Sequence, residues 1–186
     1  MNIKNKKILV SGTIAYDRIM VFPGYFKDHI LPDKIHILNV CFSINKLKES
    51  FGGTAGNIAY NLNLLKEKPV VLSLVGSDYA KYREWLKSSS INYKYIRKHD
   101  NDLTSSAYII TDKDDNQITG FYNGPLDVDY CQVVEKIKNV GLPIIAPEYK
   151  DRMLRYAKNY RERNTPYIFD PGQQIPNFTK RELKRA

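Results

Sequence analysis

Gly52-Gly53-Thr54-Ala55-Gly56-Asn57-Ile58-Ala59-Tyr60-Asn61-Leu62-Asn63-Leu64-Leu65 is the stretch that decides how this chain folds. Ala55, Ile58, Ala59, Leu62 and Leu65 fall at i, i+3, i+4, i+7 and i+10, the spacing of one apolar helix face. Two glycines stand just before that face. Lacking Cβ atoms, they let the backbone approach a ligand closely, and the first N–H groups of the helix lack intrahelical acceptors. Asn57 falls in the first turn, where its amide can donate and accept. The combination suits a polyhydroxylated ligand; it suits equally a glycine turn with Asn57 as a local cap. No Gly-Lys-Ser/Thr follows, so this is not a P-loop, and the glycine spacing is not that of a dinucleotide fingerprint.

Outward from the helix, short apolar runs alternate with amphipathic segments. Lys7–Ser11, Val70–Val75, Pro143–Ala146 and Tyr167–Phe169 read as buried strands. Tyr79–Lys87, Val133–Ile137 and Glu148–Arg163 read as helices. That alternation predicts an α/β layered domain with a mainly parallel sheet. Two segments break it. Lys34–Ile44 alternates with a one-residue slip at Leu38-Asn39, which predicts a half-exposed strand with a bulge. Ala107–Thr111 and Gln117–Tyr122 flank the polar turn Asp112–Asn116 and predict a hairpin. Together they predict a small β-appendage built from two insertions. Pro23–Pro32, ahead of the first of them, is loop-like.

Asp17 follows the first strand, after Gly12-Thr13-Ile14-Ala15-Tyr16. Ligands of open α/β sheets bind beyond the carboxyl ends of the strands. A carboxylate there can grip sugar hydroxyls, or it can be an ordinary surface aspartate.

The bulk numbers narrow the partners. With 42% hydrophobic and 26% charged residues, 186 residues make one globular unit. Met1–Lys7 is polar and basic, and Ile8–Val10 is too short for a signal segment or a membrane span, so a cytoplasmic protein without a membrane partner is expected. Cys41 and Cys131 form no framework. His29, His36 and His99 share no ligand spacing, and no metal site is expected from them. The net charge of +9 concentrates at Lys180, Arg181, Lys184 and Arg185 and along Arg152, Arg155, Lys158, Arg161 and Arg163. No nucleic-acid reading motif accompanies these cations, so no nucleic-acid partner is expected.

The stretch from Gly52 to Leu65 resembles the first signature motif of the PfkB family of ribokinase-like kinases. The order of the other motifs is similar too. Asp17 follows an opening strand; Val75-Gly76-Ser77-Asp78 precedes a helix with Trp85-Leu86; the hairpin ends in Thr119-Gly120-Phe121-Tyr122; Phe169-Asp170-Pro171-Gly172-Gln173 ends a strand. The segment from Asp28 to Phe42 and the Gly-Gly-Thr-Ala-Gly-Asn wording look most like adenosine-kinase-like members. The resemblance implies a partial ribokinase-like three-layer sandwich with a small β-lid. Residues 1–186 would be the N-terminal part of the kinase domain, with lid elements at about residues 16–50 and 104–125. It implies transfer of the ATP γ-phosphoryl group to a hydroxymethyl group of a sugar or nucleoside, with Mg²⁺. It also implies that Asp17, Gly52, Gly53 and Asn57 bind the acceptor's hydroxyls.

The departures are equally specific. The family's second signature, Asp-Thr-x-Gly-Ala-Gly-Asp, which carries its catalytic base and anion hole, is absent, and no Gly-Asp dipeptide occurs. Asn159-x-x-Glu162 precedes the Asp170 strand instead of following it, and reads as coincidence. Ala80 stands where the family has a glycine. No catalytic residue is therefore expected in this chain, which by itself would be inactive: the fragment of a kinase or, alternatively, a non-catalytic sugar- or nucleoside-binding or interaction module. The expected partners are a small sugar or nucleoside and, at a sheet edge near Phe169, a second copy of the chain or a complementing C-terminal half.

Overall fold

The computed structural model describes residues 6–125, 130 and 133–186. Cys131 lies outside the described residues; Cys41 is exposed and unpaired. The chain runs β1 (Lys7–Ser11), β2 (Ala15–Val21), β3 (Lys46–Gly52), α1 (Thr54–Leu64), β4 (Pro69–Val75), α2 (Ala80–Ser88), β5 (Asn92–Lys98), β6 (Ser105–Thr111), β7 (Gln117–Tyr122), α3 (Val133–Lys136), β8 (Val140–Ile145), α4 (Lys150–Glu162), β9 (Ile168–Phe169) and α5 (Lys180–Arg185).

Five strands form a parallel sheet in the order β5-β4-β1-β8-β9. Its central strands are apolar on both faces, as a sheet covered on both sides requires. Along β4, Val70, Leu72 and Leu74 enter one apolar cluster with Met153 and Tyr156 of α4 and Val134 of α3. Val71 and Val75 enter the other, with Ala55 and Ala59 of α1 and Tyr82 and Leu86 of α2. Helices thus cover both faces, and the result is an α/β sandwich of three layers, as the resemblance implied. After β1 the chain moves outward to β4 and β5, then returns to place β8 and β9 on the other side. The carboxyl end of β1 is therefore a topological switch point, where open α/β sheets leave a crevice.

A second sheet, β3-β2-β6-β7, stands over that end. β2 runs antiparallel to β3 and parallel to β6, and β6 and β7 form the predicted hairpin. The segment Lys34–Ile44 is a correction. It forms no strand; Pro32–Ile37 turns through a 3₁₀ helix with Pro at its start. Ile35 and Ile37 are 60% and 66% exposed, while Val40, Phe42 and Ile44 are half-buried without pairing as a strand. Phe42 instead packs 4.9 Å from Phe22 and from Phe26. The strands of this sheet's first half are β2 and β3, whose residues Asp17, Arg18, Lys46, Lys48 and Glu49 break any apolar run. No helix of the described residues is long and apolar enough to cross a membrane.

Candidate functional site

A cavity of about 540 Å³ lies between the two sheets, lined by Thr13 after β1, Gly53 and Asn57 at the start of α1, Asp17 and Phe121 from the second sheet, and Glu148 after β8. The glycine pair builds its floor. Gly53 has φ +85, and a Cβ there would lie 2.5 Å from both Ala15 N and Thr13 O. Those are backbone atoms and cannot yield, so glycine is required on two counts. The turn is locked to the end of β1 by Ala55 N–H, which donates to Thr13 O at 3.0 Å. One of the helix's first donors, expected to be free, is thus already engaged.

Asp17, which follows the first strand in the sequence, is the third residue of β2. Its register partners are Ser50 on β3 and Ala107 on β6, with Phe121 of β7 opposite Ala107. The carboxylate lies over Gly52: a Cβ at Gly52 would be 2.1 Å from Oδ2 and 2.7 Å from Oδ1. Any larger residue at position 52 would displace it. Gly52 itself is buried and does not line the cavity; it makes room for Asp17, which does. Among the described residues no hydrogen bond or ion pair engages the carboxylate, and burial pushes its pKa above the ordinary value. Asn57 is exposed at the cavity's edge, with no side-chain hydrogen bond among the described residues.

Aromatic residues hold this arrangement to the core. Tyr82 of α2 is fully buried and its hydroxyl donates to Gly52 O at 2.7 Å. Tyr16 of β2 donates to Asp78 O at 3.0 Å, and Phe51 of β3 stacks on Trp85 at 5.1 Å. Burial, and then the charge of Asp17, raise the Tyr82 pKa, so the phenol stays a donor. The Gly76-Ser77-Asp78 turn fixes the entry to β6. Asp78 Oδ1 accepts from Thr104 N at 2.8 Å, and Thr104 Oγ1 accepts from Gly76 N at 3.0 Å.

Sequence reasoning missed the opposite wall. Glu148 and Arg152 both line the cavity, 2.5 Å apart at Oε2 and Nε, with side chains 5% and 8% exposed. Burial raises the Glu148 pKa, and Arg152 opposes that shift. Their i,i+4 spacing directly after an apolar strand was the available signal. Gln173 and Gln174, in the turn after β9, line the same wall. Among the described residues no group of three or more His, Cys, Asp or Glu is placed to hold a metal ion.

Compared with known families, residues 24–185 match the pfkB family carbohydrate kinase. A nucleoside kinase of Methanocaldococcus jannaschii is 32% identical, covering 97% of this chain and 56% of its own length. The nucleoside kinase of Burkholderia thailandensis solved in complex with inosine superposes with a TM-score of 0.81 and 33% identity, covering 96% of this chain and 56% of that one. The same enzyme solved with ADP-inosine gives a TM-score of 0.76 at 36% identity, with 96% and 56% covered. The chain spans about half the length of the curated relatives it matches.

Proposed function

This chain belongs to the PfkB family of carbohydrate kinases, and from that premise we propose that it is the acceptor-binding part of a nucleoside kinase. Such an enzyme transfers the ATP γ-phosphoryl group to the hydroxymethyl oxygen of a nucleoside or related sugar. The observation that carries the reading is the Asp17 carboxylate, partially desolvated, free of protein partners among the described residues and seated over the missing side chain of Gly52 in the cavity. A carboxylate of this kind accepts charge-assisted hydrogen bonds from neighbouring hydroxyls of a ribose. Gly53 lets the ring approach the backbone, and Asn57 donates and accepts at its rim. Holding the ring at several points orients the hydroxymethyl group, which is the positioning part of phosphoryl transfer.

ATP and Mg²⁺ are what the family implies. The described residues do not fit them: no acidic cluster is placed for a metal, and the second-signature sequence is lacking. No step of this reading runs through them.

Calorimetric titration with inosine, adenosine and ribose tests the proposal. Asp17→Ala and Asn57→Ala should each weaken binding by roughly 10- to 100-fold, the worth of one or two hydrogen bonds to a charged or amide group. Unchanged affinity in both variants would remove the assignment. ATP consumption, measured with and without the product of the adjacent reading frame, separates a kinase half from a binding module, which would bind without turnover in either case.

A further inference from the structure

The cavity wall facing away from the second sheet holds a charged pair that the reading above leaves unused. Glu148 follows β8 and Arg152 lies in the first turn of α4, both more than nine-tenths buried. Nε of Arg152 is 2.5 Å from Glu148 Oε2, and the guanidinium lies 5.2 Å from the centre of the Tyr149 ring. A guanidinium carries five N–H donors and pairs best with a carboxylate through two parallel bonds. Here the contact is single. Nη1 is buried with no hydrogen-bond partner among the described residues, and Nε completes no well-aligned hydrogen bond either. A buried donor on a cation is costly to leave unsatisfied, so a pair serving the fold alone should have been closed by the protein.

We propose that Arg152 is a second ligand-binding residue of this cavity, its Nη1 donating to an oxygen or ring-nitrogen lone pair of a bound neutral nucleoside while Glu148 and the Tyr149 ring hold the guanidinium in place. The proposal rests on the nucleoside reading of the cavity and extends it to a second point of attachment. It also names the ligand's charge class. The charged residues lining the cavity are Asp17, Glu148 and Arg152, two anions and one cation, although the whole chain carries +9. Such a lining accepts a neutral nucleoside and disfavours one already phosphorylated.

The full chain is titrated calorimetrically with inosine and with inosine monophosphate, and thermal unfolding is followed in parallel. Arg152→Met should weaken inosine binding about tenfold or more and lower Tm, because Glu148 is left buried and unpaired. The double variant Glu148→Gln/Arg152→Met should recover Tm and keep the weak affinity. The monophosphate should bind more weakly than inosine. Parental affinity in the double variant overturns the proposal and leaves Arg152 a structural residue. Parental affinity in Arg152→Met also overturns it. Absence of inosine binding in the parent overturns the nucleoside reading itself, and this inference with it.

Discussion

The two sheets of this molecule are built on different principles. β4, in the five-stranded sheet, is buried at all seven positions, and β7, in the four-stranded sheet, is exposed at all six. The first sheet is clamped by apolar clusters on both faces. The second hangs from its backbone ladder and a few tethers, and keeps one face open to the cavity. The contrast shows how one chain can combine a rigid base with a cover that leaves room for a ligand: stability is concentrated in one sheet so that the other need not bury its faces.

The largest expected effect tests that division directly. Leu72→Ala removes a side chain only 1% exposed, on the strand between β1 and β5, and should cost about 3 kcal/mol, or roughly 10 °C in Tm. Ile118→Ala in β7, where the side chain is 41% exposed, should cost under about 0.5 kcal/mol. Urea unfolding of both variants decides it. Similar losses would mean that the second sheet is as much a core element as the first.

The same difference governed what the sequence could reveal. β1, β4 and the second half of β8 were legible because strands of a sheet covered on both faces read as apolar runs. β2, β3 and β5 were not: Ala15-Tyr16-Asp17-Arg18, Lys46-Leu47-Lys48-Glu49 and Asn92-Tyr93-Lys94-Tyr95 carry charges or polar groups at the cavity or in solvent. The alternation at Lys34–Ile44 misled because a period of two shows which side chains are covered and not that the backbone pairs: Val40, Phe42 and Ile44 are half-buried in an unpaired segment. At the site, the meeting of Asp17 with the glycine turn was legible through the order of the motifs. That the aspartate belongs to a strand, with Gly52 serving as its seat, was not, because pairing to Ser50 and Ala107 is a long-range fact. Glu148 and Arg152 were hidden among the other charges of a basic helix.

A smaller effect is expected at the joint between the sheets. Tyr82→Phe deletes the hydroxyl that donates to Gly52 O and should cost about 1 kcal/mol. Its location matters more than its size. Amide exchange should quicken in β2 and β3, which this tether holds, and stay unchanged in β4 beneath. Uniform acceleration across both sheets would show that they open as one unit, and the comparison would fail.

The smallest effect has the opposite sign. Burial holds the Asp17 carboxyl above its ordinary pKa, so the folded protein binds that proton more tightly than the unfolded chain does. Folding is therefore favoured most below the ordinary carboxylate range. It loses part of that advantage as pH rises through the ordinary value and on to the raised one. At neutral pH the ionised Asp17 is a cost, with no protein partner among the described residues to offset it. Asp17→Asn keeps the shape and removes the charge. It should raise Tm at pH 7 by roughly 1–2 °C, about half a kcal/mol once solvent screening is allowed for, and the gap should close below about pH 4. A carboxylate placed for folding would give the reverse, a lower Tm in the variant at pH 7. A gain in stability together with weaker inosine binding would mean that this sheet keeps a charge its own fold does not need, which makes sense only if the cavity holds something that does.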